Sequence, residues 1–389
     1  MLIVADENIA RVREAFAGFG EVHTLSGRSL SASEVRDADV LLVRSVTAVD
    51  RELLEGSRVR FVGSATIGTD HLDINYLDRS GIAWSAAPGC NATAVAEYVL
   101  SCLATLDGVL ERLLSGGVVG VIGLGNVGSR LASRLRRLGI RCIGYDPLLD
   151  ADAVHLPLCD LDQVLAADVV CCHVPLTRDG EFPTLHMLDA QRLTQLRPGA
   201  VLLNAGRGGA IDGAALSELL LRRDDLRAVL DVWEGEPAID RALLGLVELA
   251  TPHIAGYSID GKLAGTAQVL EACRRHFEWP LSTTPLEAEA APAIVIDDEL
   301  SGAALLRHAI HAVYAVRDDD RLMRERLGAA TADAVGAEFD RLRRNYPPRR
   351  EFAAVRIDNW DVLSEGNRNL LRALGFGIAQ PKRAALLKR

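Results

Sequence analysis

The sequence predicts an α/β protein: two doubly wound parallel-sheet domains followed by a small C-terminal α/β domain. Three observations predict it. Short apolar runs alternate with amphipathic stretches through the first hundred residues. A second series of six such runs begins at Val118. After about residue 290 the texture changes to a strand-like run, a long helical stretch and an arginine-rich segment.

In chain order, LIVA (2–5) is the first strand and leads into a helical segment with apolar Val12, Ala15 and Phe16. DVLLVRS (39–45) and VRFVGSA (59–65) are the next strands, with a shorter one over 82–85. Asn91 or Thr93 can cap the helix that follows, AVAEYVLSCLATL. The second series reads VVGVIG, RCIGYD, DVVCCHV, AVLLNAG, LRAVLDV and the short LATPHI, with helical stretches such as SRLASRLRRLG (129–139) and GAALSELLLRR (213–223) between them. Six strand-like runs in about 140 residues is the content of a dinucleotide-binding sheet. In the tail, APAIVIDDE reads as a strand and ELSGAALLRHAIHAVYAVRDDD as one amphipathic helix. DRLRRNYPPRREF follows, then a strand–helix pair ending near Phe376. The proline- and alanine-rich stretch 280–292 is the expected linker. The boundaries that result are 1–93 for a substrate domain completed by about 257–285, 94–256 for a nucleotide domain, and 286–389 for the tail.

Composition narrows the function classes. Hydrophobic residues make up 49% and charged residues 25%, which is globular and leaves out disordered, collagenous and coiled-coil chains. Lys+Arg of 43 against Asp+Glu of 53 leaves a net charge of −10, so phosphate-driven binding to nucleic acid is not expected. No apolar run is long enough for a membrane-spanning helix, and MLIVADENIA carries Asp6 and Glu7 where a signal peptide needs basic residues. Seven cysteines (Cys90, Cys102, Cys142, Cys159, Cys171, Cys172 and Cys273) show no C-x-x-C spacing. They are expected as packing thiols in a reducing cytoplasm, with neither a disulfide framework nor a metal site.

The nucleotide site is the first chemical signal. Gly123-Leu124-Gly125-Asn126-Val127-Gly128 follows the strand VVGVI and opens a helix. The first glycine permits the tight turn, the second lets backbone approach a pyrophosphate, and the third allows close packing of the helix. The motif alone is weak. The next strand, RCIGYD, ends in Asp146, 18 residues past Gly128, where an acid can accept from ribose hydroxyls. With Pro147 directly after it, Asp146 can also be read as a cap or turn residue. An acid there repels a 2′-phosphate, and no arginine follows to receive one, so the expected cofactor is NAD. The second domain is thereby expected to be Rossmann-like.

Three more motifs end strands of this domain: Asn204-Ala205-Gly206-Arg207-Gly208, Asp231-Val232-Trp233-Glu234-Gly235-Glu236-Pro237 and Thr251-Pro252-His253-Ile254-Ala255-Gly256. Ligands of open α/β sheets bind at the carboxyl ends of strands. Oxidation of a secondary alcohol needs an acceptor for the hydroxyl proton, which suits His253. A carboxylate beside the imidazole favours its charged form and fixes its orientation, which suits Glu236. An arginine offers a fork for a carboxylate or hydroxy-acid oxygen, which suits Arg207. Singly, the histidine reads as a loop residue, Glu234 and Glu236 as turn acids, and Arg207 as a partner for either.

In order behind the glycine motif, NAGRGG, DVWEGEP and TPHIAG resemble the signature loops of the D-2-hydroxyacid dehydrogenase family. VADENI, VRSVTAVD, VGSATIGTDHLD, SAAPGCNATAVAEYV, GNVGSRL, HVPLTRDG, HIAGYSIDGK and EFDRLRRNYPPRREF resemble one branch of it almost end to end, a branch that serves vitamin B6 synthesis. The resemblance implies a second Rossmann-like domain, NAD-dependent oxidation of a small phosphorylated 2-hydroxy acid, and a homodimer. The tail and the helix AVAEYVLSCLATL are the candidate dimer contacts. It places Arg207, Glu236 and His253 in the catalytic set, NAD on Asp146, Ala205, Gly206, Arg207, Asp231 and Gly256, and substrate on Ser45, Thr66 and Tyr257. Val174 stands where similar enzymes often carry threonine, so it offers NAD its backbone but no hydroxyl. Another D-2-hydroxyacid dehydrogenase, such as a D-3-phosphoglycerate dehydrogenase, and an NAD-sensing corepressor-like binding protein are the alternatives.

Ser45 and Thr66 each end a strand-like run, where hydroxyls and amides can receive a carboxylate; a turn or cap role is equally compatible with them. A substrate phosphate needs cations, for which Arg44, Arg349 and Arg350 are the candidates. The two tail arginines can equally be solvated surface.

Overall fold

The computed structural model describes residues 1–150, 155–280, 286, 288 and 291–377, so the linker expected over 280–292 lies largely outside the described residues. The chain forms two compact units.

The first unit is Met1–Ala92 with Tyr257–Ala290. Its sheet has strands β1 Leu2–Asp6, β2 Glu21–Leu25, β3 Val40–Val43, β4 Phe61–Ser64 and β5 Ala83–Ser85, in the order β2-β1-β3-β4-β5, all parallel. Both faces are covered. Ile3, Ala5, Val40, Leu42 and Phe61 pack with Val269 and Leu270 of the helix Ile259–His276, while Val4, Leu41, Val43 and Val62 pack with Leu54 and Leu77. Alternate residues of one strand serve opposite faces, which is why these strands read as unbroken apolar runs. Strand β2 was not expected from the sequence. EVHTL lies at the sheet edge with Glu21 and His23 exposed, so it has no apolar run to announce it.

The second unit joins Thr93–Gly256 to the chain from Ala291 onward. Strands β6 Val118–Ile122, β7 Arg141–Tyr145, β8 Val169–Cys172, β9 Val201–Asn204, β10 Arg227–Leu230 and β11 Leu249–Ala250 form a parallel sheet in the order β11-β10-β9-β8-β6-β7. All six coincide with the expected runs. The sequence of strands reverses direction at β6, beside β8, and this is where α/β sheets of this kind bind dinucleotides. A two-stranded sheet of β12 Ala293–Ile294 and β13 Arg356–Ile357 completes the doubly wound α/β architecture with a small C-terminal element.

The tail shares its core with the nucleotide sheet. Met323, Leu327, Val335 and Phe339 belong to the same apolar cluster as Leu243, Leu244, Val247 and Ala250. Polar contacts fix the docking. Asp320, 4% exposed, accepts from the Ala250 amide at 2.9 Å, and Arg324 donates to the carbonyls of Leu244 and Val247 at 2.7 and 2.8 Å.

The single helix expected over the first part of the tail is two helices, Gly302–Val313 and Val316–Ala329, broken at Tyr314. Tyr314 is extended (φ −151, ψ 113), and the buried hydroxyl of Ser101 spans the break. It donates to the Tyr314 carbonyl at 2.8 Å and accepts from the Val316 amide at 3.2 Å. A tertiary partner thereby satisfies backbone groups that a continuous helix would have paired internally. Ser101 belongs to the helix Ala92–Thr105, whose residues 94–104 are all buried, so its apolar positions serve the interior of this chain.

Candidate active site

The glycine loop takes the form its residues require. Gly123 adopts φ +84, and a Cβ on Gly128 would stand 2.0 Å from the Gly123 carbonyl oxygen, so neither position accepts another residue without movement. Gly125 begins the helix Asn126–Arg137, and nothing lies within 4 Å of where its Cβ would be. That leaves room for a phosphate at a helix start whose first turn carries no acid. Asp146, at the end of β7, accepts from the Leu124 amide at 2.9 Å and the Leu148 amide at 3.2 Å. It therefore pins the glycine loop and shapes its own turn, while its half-buried carboxylate remains at the strand end. These residues fit a dinucleotide.

The three signature loops are packed together at the carboxyl ends of β9, β10 and β11. A Cβ on Gly208 would stand 2.0 Å from the Trp233 carbonyl carbon, so only glycine lets the arginine loop approach the tryptophan loop this closely. Asn204 holds the arginine loop from within, donating to the Arg207 carbonyl and accepting from the Gly206 amide, both at 3.0 Å. The Arg207 guanidinium donates to the Gly206 carbonyl at 3.0 Å. Trp233 Nε1 donates to the Thr251 carbonyl at 3.0 Å, joining the tryptophan and histidine loops.

The decisive contact is between His253 Nδ1 and Glu236 Oε2, 2.7 Å apart. The other Glu236 oxygen accepts from the Trp233 amide at 2.7 Å, so the carboxylate is fixed at both ends. Glu234, two residues earlier, faces elsewhere. It meets His186 Nε2 at 2.6 Å and the Gly213 amide at 3.2 Å.

Residues 103–255 match the family model described as the D-isomer specific 2-hydroxyacid dehydrogenase, NAD binding domain. Residues 286–375 match a domain of unknown function. An erythronate-4-phosphate dehydrogenase of Pseudomonas entomophila is 50% identical over 361 residues, covering 92% of this chain and 94% of that protein. One from Cellvibrio japonicus is 47% identical over 385 residues, covering 97% and 99%. The chain belongs to the erythronate-4-phosphate dehydrogenase family of D-2-hydroxyacid dehydrogenases. Solved structures share the fold. A D-lactate dehydrogenase from Aquifex aeolicus complexed with NAD and lactic acid superposes with a TM-score of 0.60 at 24% identity, covering 72% of this chain and 96% of that one. An NAD-bound 3-phosphoglycerate dehydrogenase from Entamoeba histolytica gives 0.61 at 24% identity, covering 71% and 95%. The protein is an NAD-dependent dehydrogenase.

Within this family site, electrostatics assign the proton positions. Burial pushes the Glu236 carboxyl up, but its bond to His253, the imidazole charge, the Trp233 amide and the Arg343 charge together pull it below the ordinary value. Glu236 is therefore ionised at neutral pH and can only accept, so His253 Nδ1 carries a hydrogen and Nε2 is the ring nitrogen left to exchange a proton with a substrate. Because the folded-state value is lowered, the stabilising contribution of this pair is present above the ordinary carboxylate range and is lost as pH falls through the lowered value.

His253 itself sits at φ +56, a conformation few non-glycine residues adopt. Asp231 holds it there. The Asp231 carbonyl accepts from the His253 amide at 2.7 Å, and its carboxylate accepts from the Ile254 amide, the Ala255 amide and the Thr251 hydroxyl at 2.8, 3.0 and 2.7 Å. Tyr98, fully buried, meets the Thr251 hydroxyl at 2.8 Å. Asp231 is 1% exposed with both carboxylate oxygens engaged, so its carboxylate supports the histidine loop instead of facing solvent. Sequence reasoning named Thr251 within its motif but gave it no role, and it did not find Tyr98, because nothing in their spacing links either to Asp231.

In the first unit, the candidates Ser45 and Thr66 follow the carboxyl ends of β3 and β4. Ser45 is exposed just beyond β3. Thr66, just beyond β4, meets the Ser64 hydroxyl at 2.8 Å, which in turn meets His71 Nε2 at 3.0 Å. Arg44 donates to the buried Asp6 at 3.0 Å, so part of its charge is already answered. Tyr257 carries the Lys262 ammonium 5.1 Å from its ring centre, a cation that sequence reasoning did not pick.

The tail arginines differ from one another. Arg350 is half-buried. Arg349, expected as a phosphate anchor or a solvated surface residue, is not solvated surface: it is 7% exposed, its guanidinium lies 4.3 Å from the Tyr314 ring centre, and it donates to the Ala255 carbonyl. Val174, 8% exposed, packs by its side chain into the nucleotide-domain core and leaves only its backbone for a cofactor.

Proposed function

We propose that the protein oxidises 4-phospho-D-erythronate at C2 to (R)-3-hydroxy-2-oxo-4-phosphooxybutanoate, as a step of vitamin B6 synthesis. The observation that carries this reading is the Glu236–His253 pair at 2.7 Å in a chain that is 50% identical to an enzyme named for that substrate. NAD, when bound, would supply the acceptor for the hydride from C2. His253 Nε2 takes the proton of the C2 hydroxyl, and ionised Glu236 stabilises the imidazolium that results. Arg207 orients the substrate carboxylate and the reacting oxygen through its fork. Gly123, Gly125, Asn126, Val127 and Gly128 receive the pyrophosphate and Asp146 the adenosine ribose. Val174, Ala205, Gly206, Arg207, Asp231 and Gly256 complete the cofactor contacts, Val174 through its backbone. Ser45, Thr66 and Tyr257 contact substrate, and Arg44, Arg350 and Lys262 are the remaining cations for its phosphate.

The working form is a homodimer in the cytoplasm. Exposed Val295 and Val362 on the tail support a contact there, and the seven free cysteines support a reducing compartment. No helix among the described residues is long and apolar enough to cross a membrane.

The test is NADH formation with 4-phospho-D-erythronate against a panel of 2-hydroxy acids that includes 3-phosphoglycerate. Highest kcat/KM on 4-phospho-D-erythronate is expected. Preference for 3-phosphoglycerate would reassign the substrate, and NAD binding without turnover on any alcohol would favour a sensing role.

A further inference from the structure

The catalytic loop 251–256 is gripped by the tail at both ends. Immediately before it, Asp320 of the helix Val316–Ala329 accepts from the Ala250 amide on β11 at 2.9 Å. At its far end, Arg349 donates to the Ala255 carbonyl, two residues beyond His253, and more weakly to the Ala94 carbonyl at 3.4 Å. Asp231 already holds the amides of Ile254 and Ala255, so Arg349 supplies the opposing contact on the carbonyl side. Its own position is set on several sides. The guanidinium stacks on Tyr314, whose hydroxyl donates to Asp319 at 2.8 Å, and Tyr346 donates to the same carboxylate oxygen at 2.9 Å. Three residues on, the Phe352 amide donates to both oxygens of the buried Glu97 at 3.1 and 3.0 Å.

We infer that Arg349 is a positioning residue for His253, through which the tail holds the catalytic loop in its left-handed turn. A cation buried to this degree is costly to keep unless its partners are fixed. Here one of the partners is the main chain of the proton acceptor's own loop, and His253 occupies a strained conformation that persists only when its surroundings over-determine it. The inference rests on His253 being the proton acceptor, but the placement of the loop can be read without turnover.

The experiment compares the full-length wild type with Arg349→Met and Arg349→Lys by hydrogen exchange of the peptide spanning 250–257 and by steady-state NADH formation. Arg349→Met is expected to exchange faster in that peptide, with the peptides of β6 and β8 unchanged. Its kcat is expected to fall about 10²-fold, with KM for NAD held within about twofold. Arg349→Lys, which keeps the charge, is expected to recover part of both. On a His253→Ala background, Arg349→Met is expected to add less than about threefold, because two residues acting through one step are not additive. Wild-type exchange in the 250–257 peptide of a folded variant overturns the inference, as does an effect that adds in full to His253→Ala. If Arg349→Met does not fold, Arg349→Lys decides by the same exchange readout. A wild type that turns over no 2-hydroxy acid overturns the reading of function, and exchange then judges the loop contact alone.

Discussion

His253→Ala is expected to lower kcat by ~10²–10⁴-fold, the range for loss of a positioned general base. Its affinity for NAD, measured by fluorescence titration or calorimetry, should stay near wild type, since the glycine loop and Asp146 do not depend on the imidazole. The reasoning is structural. Glu236 fixes Nδ1, which leaves Nε2 as the proton acceptor, and alanine removes that acceptor without touching the dinucleotide loop. Glu236→Gln should act in the same direction but more weakly, because glutamine can still orient the ring while it no longer supports the imidazolium. Near-wild-type turnover in His253→Ala would remove the histidine from the reaction.

Asp231→Ala is expected to show the largest combined loss of stability and activity. The substitution strands the Ile254 and Ala255 amides in a buried setting, at ~1–3 kcal/mol for each group left unsatisfied, and leaves the Thr251 hydroxyl with Tyr98 alone. Even with water refilling part of the space, we expect a loss of about 3 kcal/mol or more, read as a lower urea midpoint at unchanged slope. Turnover should fall at least about 10²-fold, because the loop that carries His253 loses the contacts that hold its left-handed turn. A variant with the wild-type midpoint and wild-type turnover would show that the carboxylate does not organise the loop.

Most of the sheet architecture was legible because strands buried on both faces write themselves as continuous apolar runs. VVGVI, VVCC and VLLN are such runs, and each is a strand. The exceptions have a common cause. EVHTL is a strand only because β1 pairs with it, and the break at Tyr314 exists only because Ser101, more than two hundred residues earlier, reaches both sides of it. Partners distant in sequence leave no trace in local periodicity.

The candidate site divides in the same way. The order of arginine, glutamate and histidine loops behind a glycine motif pointed to Glu236 and His253 together, and the two meet at 2.7 Å. Glu236 was expected beside the histidine in preference to Glu234, and their partners differ accordingly: Glu236 meets His253 and Glu234 meets His186. Asp231, Thr251 and Tyr98 form a network that only the folded chain assembles. Arg349 was misread for a related reason: in NYPPRREF an arginine looks solvated, and its burial depends on the Tyr314 ring and the Ala255 carbonyl.

Hydride leaving C2 while the hydroxyl proton goes to His253 is the account's central chemistry, and isotopic labelling tests it most directly. With 4-phospho-D-erythronate deuterated at C2, the NADH recovered after turnover should be heavier by the deuterium and the 2-oxo acid should be unlabelled. Unlabelled NADH, or deuterium retained in the product, would contradict it.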